Sequence, residues 1–441
     1  MAGRLEGGAT GWFAEAMTRP RSLGSFAGGF LLLGVSLAGA PAGPGLRPDS
    51  VSISTPPPRV FQLDPARLIA ARESLARGEP QLQPALARLR HEADQALLLT
   101  PPSVMSKPRT AASGDKHDYF SYGPYWWPDP AKPGGLPYIR RDGEVNPASD
   151  RNTDEDHFKA VISSVHTLGL AYWFTRDGRY ARHAAQFVRT WFLDPATRMN
   201  PNLQHAQAIP GITDGRGIGI IESRGLFGLN EGLALLAGSP AWSARDQEEY
   251  HAWLVAFYQW LTTSANGRDE RAEKNNHGSW YDVQVAHLAL VLGRQDDART
   301  ILTEGLARRV VVQIEPSGAQ PLELARTKSL DYSLMNLEAL FTCARLGKLV
   351  GVDWWSFSTP DGRSLHAALS YLAPYVDPAK PWPKPDLHAA DRSRLIPLLD
   401  QYLGQQADAG FQALAARFAA TAEADARWRL TGNRPLDPKA P

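Results

Sequence analysis

Cysteine is almost missing from this 441-residue sequence: Cys343 stands alone, so no disulfide within the chain can staple the fold. No activating signature surrounds it in the helical-looking run Ala339-Leu340-Phe341-Thr342-Cys343-Ala344-Arg345, and a buried, inert thiol is a better reading than a nucleophile. An excess of one charge is missing too. Lys and Arg total 47 against 46 for Asp and Glu, a net charge of +1, which excludes both a broad nucleic-acid footprint and a strongly acidic solvating surface. An anionic ligand would have to be held by a local cluster. There is no His-Glu-x-x-His, no cysteine pair and no Asp-rich calcium loop, so no catalytic metal or other cofactor is expected, while a structural ion stays open. Alternating, strand-like runs are few, and no strict repeat is found.

What is present is 43% hydrophobic and 21% charged, enough apolar material for a large core in an ordinary globule and too much for global disorder. Residues 17–42 read as a secretion signal: Met17, then Arg19 and Arg21, the apolar run Phe26 to Leu37, and Ala40-Pro41-Ala42 as a small-residue cleavage site. The sixteen residues before Met17 are unlike a signal start, which makes Met17 a candidate initiator. The apolar run is glycine-interrupted and short for a stable span, so no stable membrane insertion is expected, an uncleaved anchor being the alternative. Exclusion of residues 1–42 and of a Pro/Ser-rich linker at 43–60 leaves 61–441 as one domain, exported to the periplasm or secreted.

In that domain the period is helical. Phe158, Val161, Ile162, Val165, Leu168 and Tyr172 share one face, with Thr153 and Asp156 placed as a capping pair. The helix stops at Arg176-Asp177-Gly178-Arg179, and Tyr180, Ala184, Phe187, Val188 and Trp191 form the face of a second, giving a helical hairpin. Similar stretches cover about 64–98, 222–237, 243–263, 279–293, 297–309, 333–349, 363–374, 394–403 and 407–429. So many hairpins in one chain predict an all-α fold, an (α/α) toroid of six or seven helical hairpins, closed or incomplete, with long irregular loops lining a central groove.

The loops carry the polar chemistry. Segment 119–130 is non-helical and dense in aromatics; Tyr125, Trp126 and Trp127 are suited to stack on sugar rings, or else to plug one end of the ring. Glu273-Lys274-Asn275-Asn276-His277-Gly278-Ser279-Trp280-Tyr281-Asp282 precedes one helix, and the run from Gln320 to Ser333, with Glu323, Arg326 and Tyr332, leads into another. Helix capping alone explains an Asn-Asn-His, and a surface ion pair with a half-buried phenol explains Arg326 and Tyr332. Together, however, they suit one reaction. Eliminating the 4-linkage of a uronate requires removal of the C5 proton beside a carboxylate whose charge opposes carbanion formation. Asn276, His277 and Arg326 are donors able to neutralise that carboxylate, and Tyr332, its pKa lowered by cationic neighbours, is able to take the proton and return one to O4.

The Asn-Asn-His-Gly-Ser-Trp-Tyr run, the Leu-Glu-Leu-Ala-Arg-Thr-Lys-Ser-Leu-Asp-Tyr-Ser run, the Tyr-Trp-Trp-Pro-Asp-Pro loop and Ala206-Gln207-Ala208-Ile209-Pro210-Gly211 resemble the alginate lyase superfamily of (α/α) toroids. The resemblance covers roughly residues 60 to 400. It is closest to polysaccharide lyase family 38 and more distant to family 5, whose Arg and Tyr lie one residue further apart than Arg326 and Tyr332. It implies Asn276, His277, Arg326 and Tyr332 as the catalytic set, an acidic polysaccharide as substrate, and β-elimination that leaves 4,5-unsaturated ends. In β-D-mannuronate and β-D-glucuronate H5 and O4 lie on one side, so a single tyrosine can serve as base and acid. Guluronate would ask His277 to be the base.

His205, Gln207, Arg216, Arg224, Trp280, Tyr281 and Glu323 join Tyr125, Trp126 and Trp127 as candidate substrate-binding residues, with structural roles as the alternative for each. His157, His166 and His183 fall within helices and are not expected to act as ligands. Two rival functions remain: a toroidal glycoside hydrolase using carboxylates from Asp154, Glu222 and Glu323, and a non-catalytic polysaccharide-binding protein. The oligomeric state is not legible.

Overall fold

The computed structural model describes residues 57–149, 153–419 and 425–432; the expected signal segment and linker residues 43–56 lie outside them. The predicted stretch 64–98 is two helices, α1 (Pro65–Ala76) and α2 (Gln83–Leu97). Gly78, at φ +77°, ends the first, and Pro80 opens a single turn of 3₁₀-helix before the second. The predicted hairpin forms as α3 (Glu155–Thr175) and α4 (Gly178–Val188). Arg176, at φ +58°, breaks the chain between them, and Asp177 caps α4 through the Arg179 N–H. The expected Thr153/Asp156 capping pair is not the cap of α3. Asp154 takes the N-cap position, and its carboxylate is turned instead to the buried Lys107 ammonium and the Phe120 N–H, each at 2.9 Å.

The chain continues through α5 (Leu226–Ala234), α6 (Ala244–Thr263), α7 (Ala265–Ala272), α8 (Asn276–Val291) and α9 (Gln295–Gly305). Then follow α10 (Pro321–Leu324), α11 (Ser329–Leu349), α12 (Leu365–Leu372), α13 (Leu395–Leu403), α14 (Ala409–Ala419) and α15 (Trp428–Thr431). Two layers result. Helices α3, α5, α8 and α11 are buried nearly all round and pack in sequence as an inner layer, whereas α6 buries, besides its capping Asp246, only the stripe Tyr250, Trp253, Leu254, Phe257, Tyr258 and Leu261. In the inner layer α3 and α5 meet backbone to backbone. A Cβ on Gly169 would lie 2.1 Å from the Gly232 carbonyl oxygen, and one on Gly232 would lie 2.6 Å from the His166 Cα. At the far end α15 returns to α1 and α2, and the buried Arg427 donates to Glu92 at 2.9 Å, tying the C-terminal end to the N-terminal helices. The architecture is the expected (α/α) toroid.

Strands are short and belong to the loops. β1 (Phe120–Tyr122) pairs in parallel with β4 (His205–Ala208), and β2 (Trp126–Trp127) pairs antiparallel with β3 (Ile139–Arg140). Among the described residues no helix is long and apolar enough to cross a membrane.

Candidate active site

Three inner helices direct their N-terminal turns at one cavity of about 910 Å³. Glu155, Asp156 and Lys159 reach it from the start of α3, Asn276 and His277 from α8, and Tyr332 and Met335 from α11, while Arg326 enters from the turn before α11. Helix N-termini carry partial positive charge, so the arrangement suits an anionic ligand. The loop strands supply the remaining wall, with Tyr125, Trp126, Arg140, Gln207 and Arg216.

At the start of α8 the capping and functional readings of Asn-Asn-His are both correct, for different residues. Asn275 is the cap, its Oδ1 accepting the His277 N–H at 2.9 Å, which leaves the next two side chains free for other work. Asn276 is fully buried; its backbone N–H donates to Glu323 Oε1 at 2.6 Å and its Nδ2 to Glu323 Oε2 at 2.8 Å. The second Nδ2 proton is the amide donor left for a ligand. His277 Nδ1 lies 2.9 Å from Oε1 of Glu270, a wholly buried carboxyl on α7, so Nε2 is the ring nitrogen left for the cavity. Burial raises the Glu270 carboxyl, and the neighbouring His277 opposes the rise.

On the facing wall the Arg326 guanidinium lies 3.8 Å above the Tyr332 ring. The Tyr332 hydroxyl is 2.7 Å from that of Tyr125, 207 residues away in the chain. Here one expectation is corrected. Arg326 does favour the phenolate, but burial dominates, and with Tyr125 and Asp142 it holds the Tyr332 phenol above its ordinary value rather than below it. Tyr332 therefore rests protonated.

Other expected contacts sort by side-chain direction. Trp126 lines the cavity and Trp127 does not, because successive residues of β2 point to opposite faces; Trp127 donates to the Glu144 carbonyl and stacks against Arg141. Gln207 accepts from Arg216 Nη2 at 2.7 Å, and both line the wall, as does Arg224. His205 lies off the cavity beside Asp118 and the Asp214 carbonyl. Trp280 and Tyr281 are core residues: the first stacks on Phe227, and the second donates to the Leu261 carbonyl at 3.0 Å. Glu323 sits behind Asn276 rather than in the cavity. Of the hydrolase candidates only Glu222 lines it; Asp154 is paired to Lys107 and Glu323 to Asn276. Among the described residues no three His, Cys, Asp or Glu side chains gather to hold a metal. Sequence reasoning missed Glu270 and Asp142, which hold His277 and Arg326; neither sits in a motif with its partner.

The helical ring gathers helix ends, an imidazole, a guanidinium and a phenol around one groove, and the chain's likeness to known proteins makes it a polysaccharide lyase. The chain matches the alginate lyase family model over residues 103–382 and belongs to that family. A solved alginate lyase from Bacteroides ovatus is 39% identical, over 85% of this chain and 99% of its own, with a TM-score of 0.81. Alginate lyase A1-III from Sphingomonas species A1 shares the fold at 18% identity, over 82% of this chain and 93% of its own, with a TM-score of 0.51. A variant of A1-III complexed with a tetrasaccharide gives 17% identity over 83% and 93%, with a TM-score of 0.53. No curated protein matches the chain.

Proposed function

We propose that this lyase cleaves a 4-linked polyuronate of the alginate type by β-elimination, with Tyr332 removing H5 and protonating O4. The juxtaposition of Tyr332, Arg326, Asn276 and His277 around one cavity carries the reading. The free Nδ2 proton of Asn276, an Nε2–H of His277, whose Nδ1 then accepts from the Glu270 carboxyl or is protonated as well, and the guanidinium of Arg326 bind the carboxylate of the reacting sugar and stabilise the charge that moves onto it as the C5–H bond breaks. Tyr332 starts as a phenol and gives its proton to solvent, while the Tyr125 hydroxyl, 2.7 Å away, turns to donate to the oxygen left behind. A phenolate left behind faces Arg326, takes H5, and passes that proton to O4 as the C4–O4 bond breaks and the 4,5-double bond forms.

Base and acid on one oxygen require H5 and O4 on one face of the ring, which favours mannuronan or glucuronan over guluronan. Tyr125 and Trp126 are proposed to stack on sugar rings, and Gln207, Arg216 and Arg224 to hold carboxylates of neighbouring units. Residues 17–42 are proposed to direct export, with the mature chain starting near Gly43.

The test is ultraviolet absorbance of the unsaturated product from mannuronan, glucuronan and guluronan. Growth of the enone band on mannuronan or glucuronan, faster than on guluronan, is expected. Chain shortening without that band would replace elimination by hydrolysis, and binding without shortening would leave a carbohydrate-binding protein.

A further inference from the structure

Arg326 does not hang freely in the cavity. Its Nε lies 3.2 and 3.1 Å from the two carboxylate oxygens of Asp142, and its Nη2 donates to Oδ1 at 2.9 Å, across 184 residues of chain. Asp142 follows β3 on the loop that walls the cavity, and it binds more than one partner. Arg140 donates to Oδ1 at 2.7 Å, and the Thr327 N–H and hydroxyl donate to Oδ2 at 3.4 and 3.1 Å. Burial pushes the Asp142 carboxyl up, but Arg326, with the Thr327 N–H and Arg140, more than offsets this and holds it down at about 2, so the acid is charged at neutral pH. The loop fits closely here: a Cβ on Gly143, at φ +75°, would lie 2.3 Å from the Thr327 hydroxyl.

A guanidinium presents two forked edges, Nε with Nη2 and Nη1 with Nη2. Asp142 occupies the first, and the Tyr332 ring covers one face. Nη1 makes no hydrogen bond among the described residues, and Arg326 lines the cavity. We propose that Asp142 is a positioning residue for the elimination: it grips Arg326 by the Nε/Nη2 edge so that the Nη1/Nη2 edge meets the carboxylate of the reacting sugar. This rests on the role proposed above for Arg326. Glu155, Asp156, Glu222 and Glu273 line the cavity, but Asp142 is the acid that grips Arg326, and its charge opposes binding of a polyanion there. Its presence fits a group that sacrifices attraction for alignment.

That conflict gives the assignment a signature. Removing Asp142 takes an anion away from two cavity arginines, so the polymer should bind at least as well, while the unaligned guanidinium serves the transition state less. The experiment compares wild type, Asp142→Ala, Asp142→Asn and Arg326→Ala on whichever of mannuronan, glucuronan and guluronan the wild type cleaves fastest. Asp142→Ala is expected to lower kcat about tenfold with KM unchanged or lower, and Asp142→Asn, which keeps one acceptor, to lose less. An unchanged kcat, or a raised KM, would show that Asp142 only fastens the loop and overturns the proposal. If Asp142→Ala does not fold, the isosteric Asp142→Asn carries the same criteria. Wild-type kinetics in Arg326→Ala would sink the role of Arg326 itself, whereas an impaired Arg326→Ala beside an unimpaired Asp142→Ala would sink only this inference.

Discussion

At the scale of single residues, the site backs an imidazole, an amide and a guanidinium with carboxylates that hold them: the buried Glu270 behind His277, the buried Glu323 behind Asn276, and the half-buried Asp142 behind Arg326. On the proposed mechanism only the oxygen of Tyr332 moves protons. Tyr332→Phe should therefore lower kcat by at least about a thousandfold while the polymer still binds, as read by enone formation and by calorimetric titration. More than a few per cent of residual rate would mean that a second group shares the task. Glu222 offers a test of electrostatics rather than of turnover. Burial, with Glu155 nearby, raises its carboxyl from 4.5 to about 8 against the hydrogen bonds from Ser121 and Tyr119. A group whose folded pKa is raised binds its proton more tightly when folded, so stability falls as pH climbs from the unfolded toward the folded value. Glu222→Gln should melt close to wild type near pH 4.5 and increasingly above it by pH 8. Parallel melting curves across that range would show that the carboxyl ionises freely in the fold.

At the scale of helices, the periodicity of apolar residues foretold α3, α4, α6 and α13 closely, because α4 and α6 carry caps, α13 has a clean stripe, and α3 is a long apolar run with a legible stop at Arg176-Asp177-Gly178. It joined α1 to α2, since an apolar pattern runs on through a turn that only Gly78 and Pro80 betray. Within the site, Asn276, His277, Arg326 and Tyr332 were legible because each lies in a compact polar run at a helix start. Trp280 and Tyr281 were read as groove residues because they follow that run, yet α8 is buried on every face and turns them into the core. Asp142 was invisible, for no spacing rule links positions 184 apart. Contact between inner helices was also invisible, since two glycines in different helices announce nothing alone. Gly232→Ala should cost about 1–3 kcal/mol through overpacking against the α3 backbone, seen as a lower Tm. An unaltered Tm would mean that α5 can shift away from α3 freely.

At the scale of the whole molecule, a ring of hairpins is only as firm as its closure. Arg427 is buried between Glu92 and Thr167, so Arg427→Ala leaves a partly buried Glu92 without one of its two arginine partners, Arg88 being the other. A loss of about 2 kcal/mol in stability is expected, with kcat close to wild type, because Arg427 does not line the cavity. A fall in kcat without a fall in Tm would show that closure is coupled to the site.

The solitary thiol has a practical consequence. Cys343 is completely enclosed on α11, the helix whose first turn presents Tyr332. A maleimide dye added to the native enzyme can couple only when that helix leaves its neighbours, so the speed of labelling clocks excursions of the element bearing the active phenol. Added oligosaccharide that binds across the cavity should slow the clock.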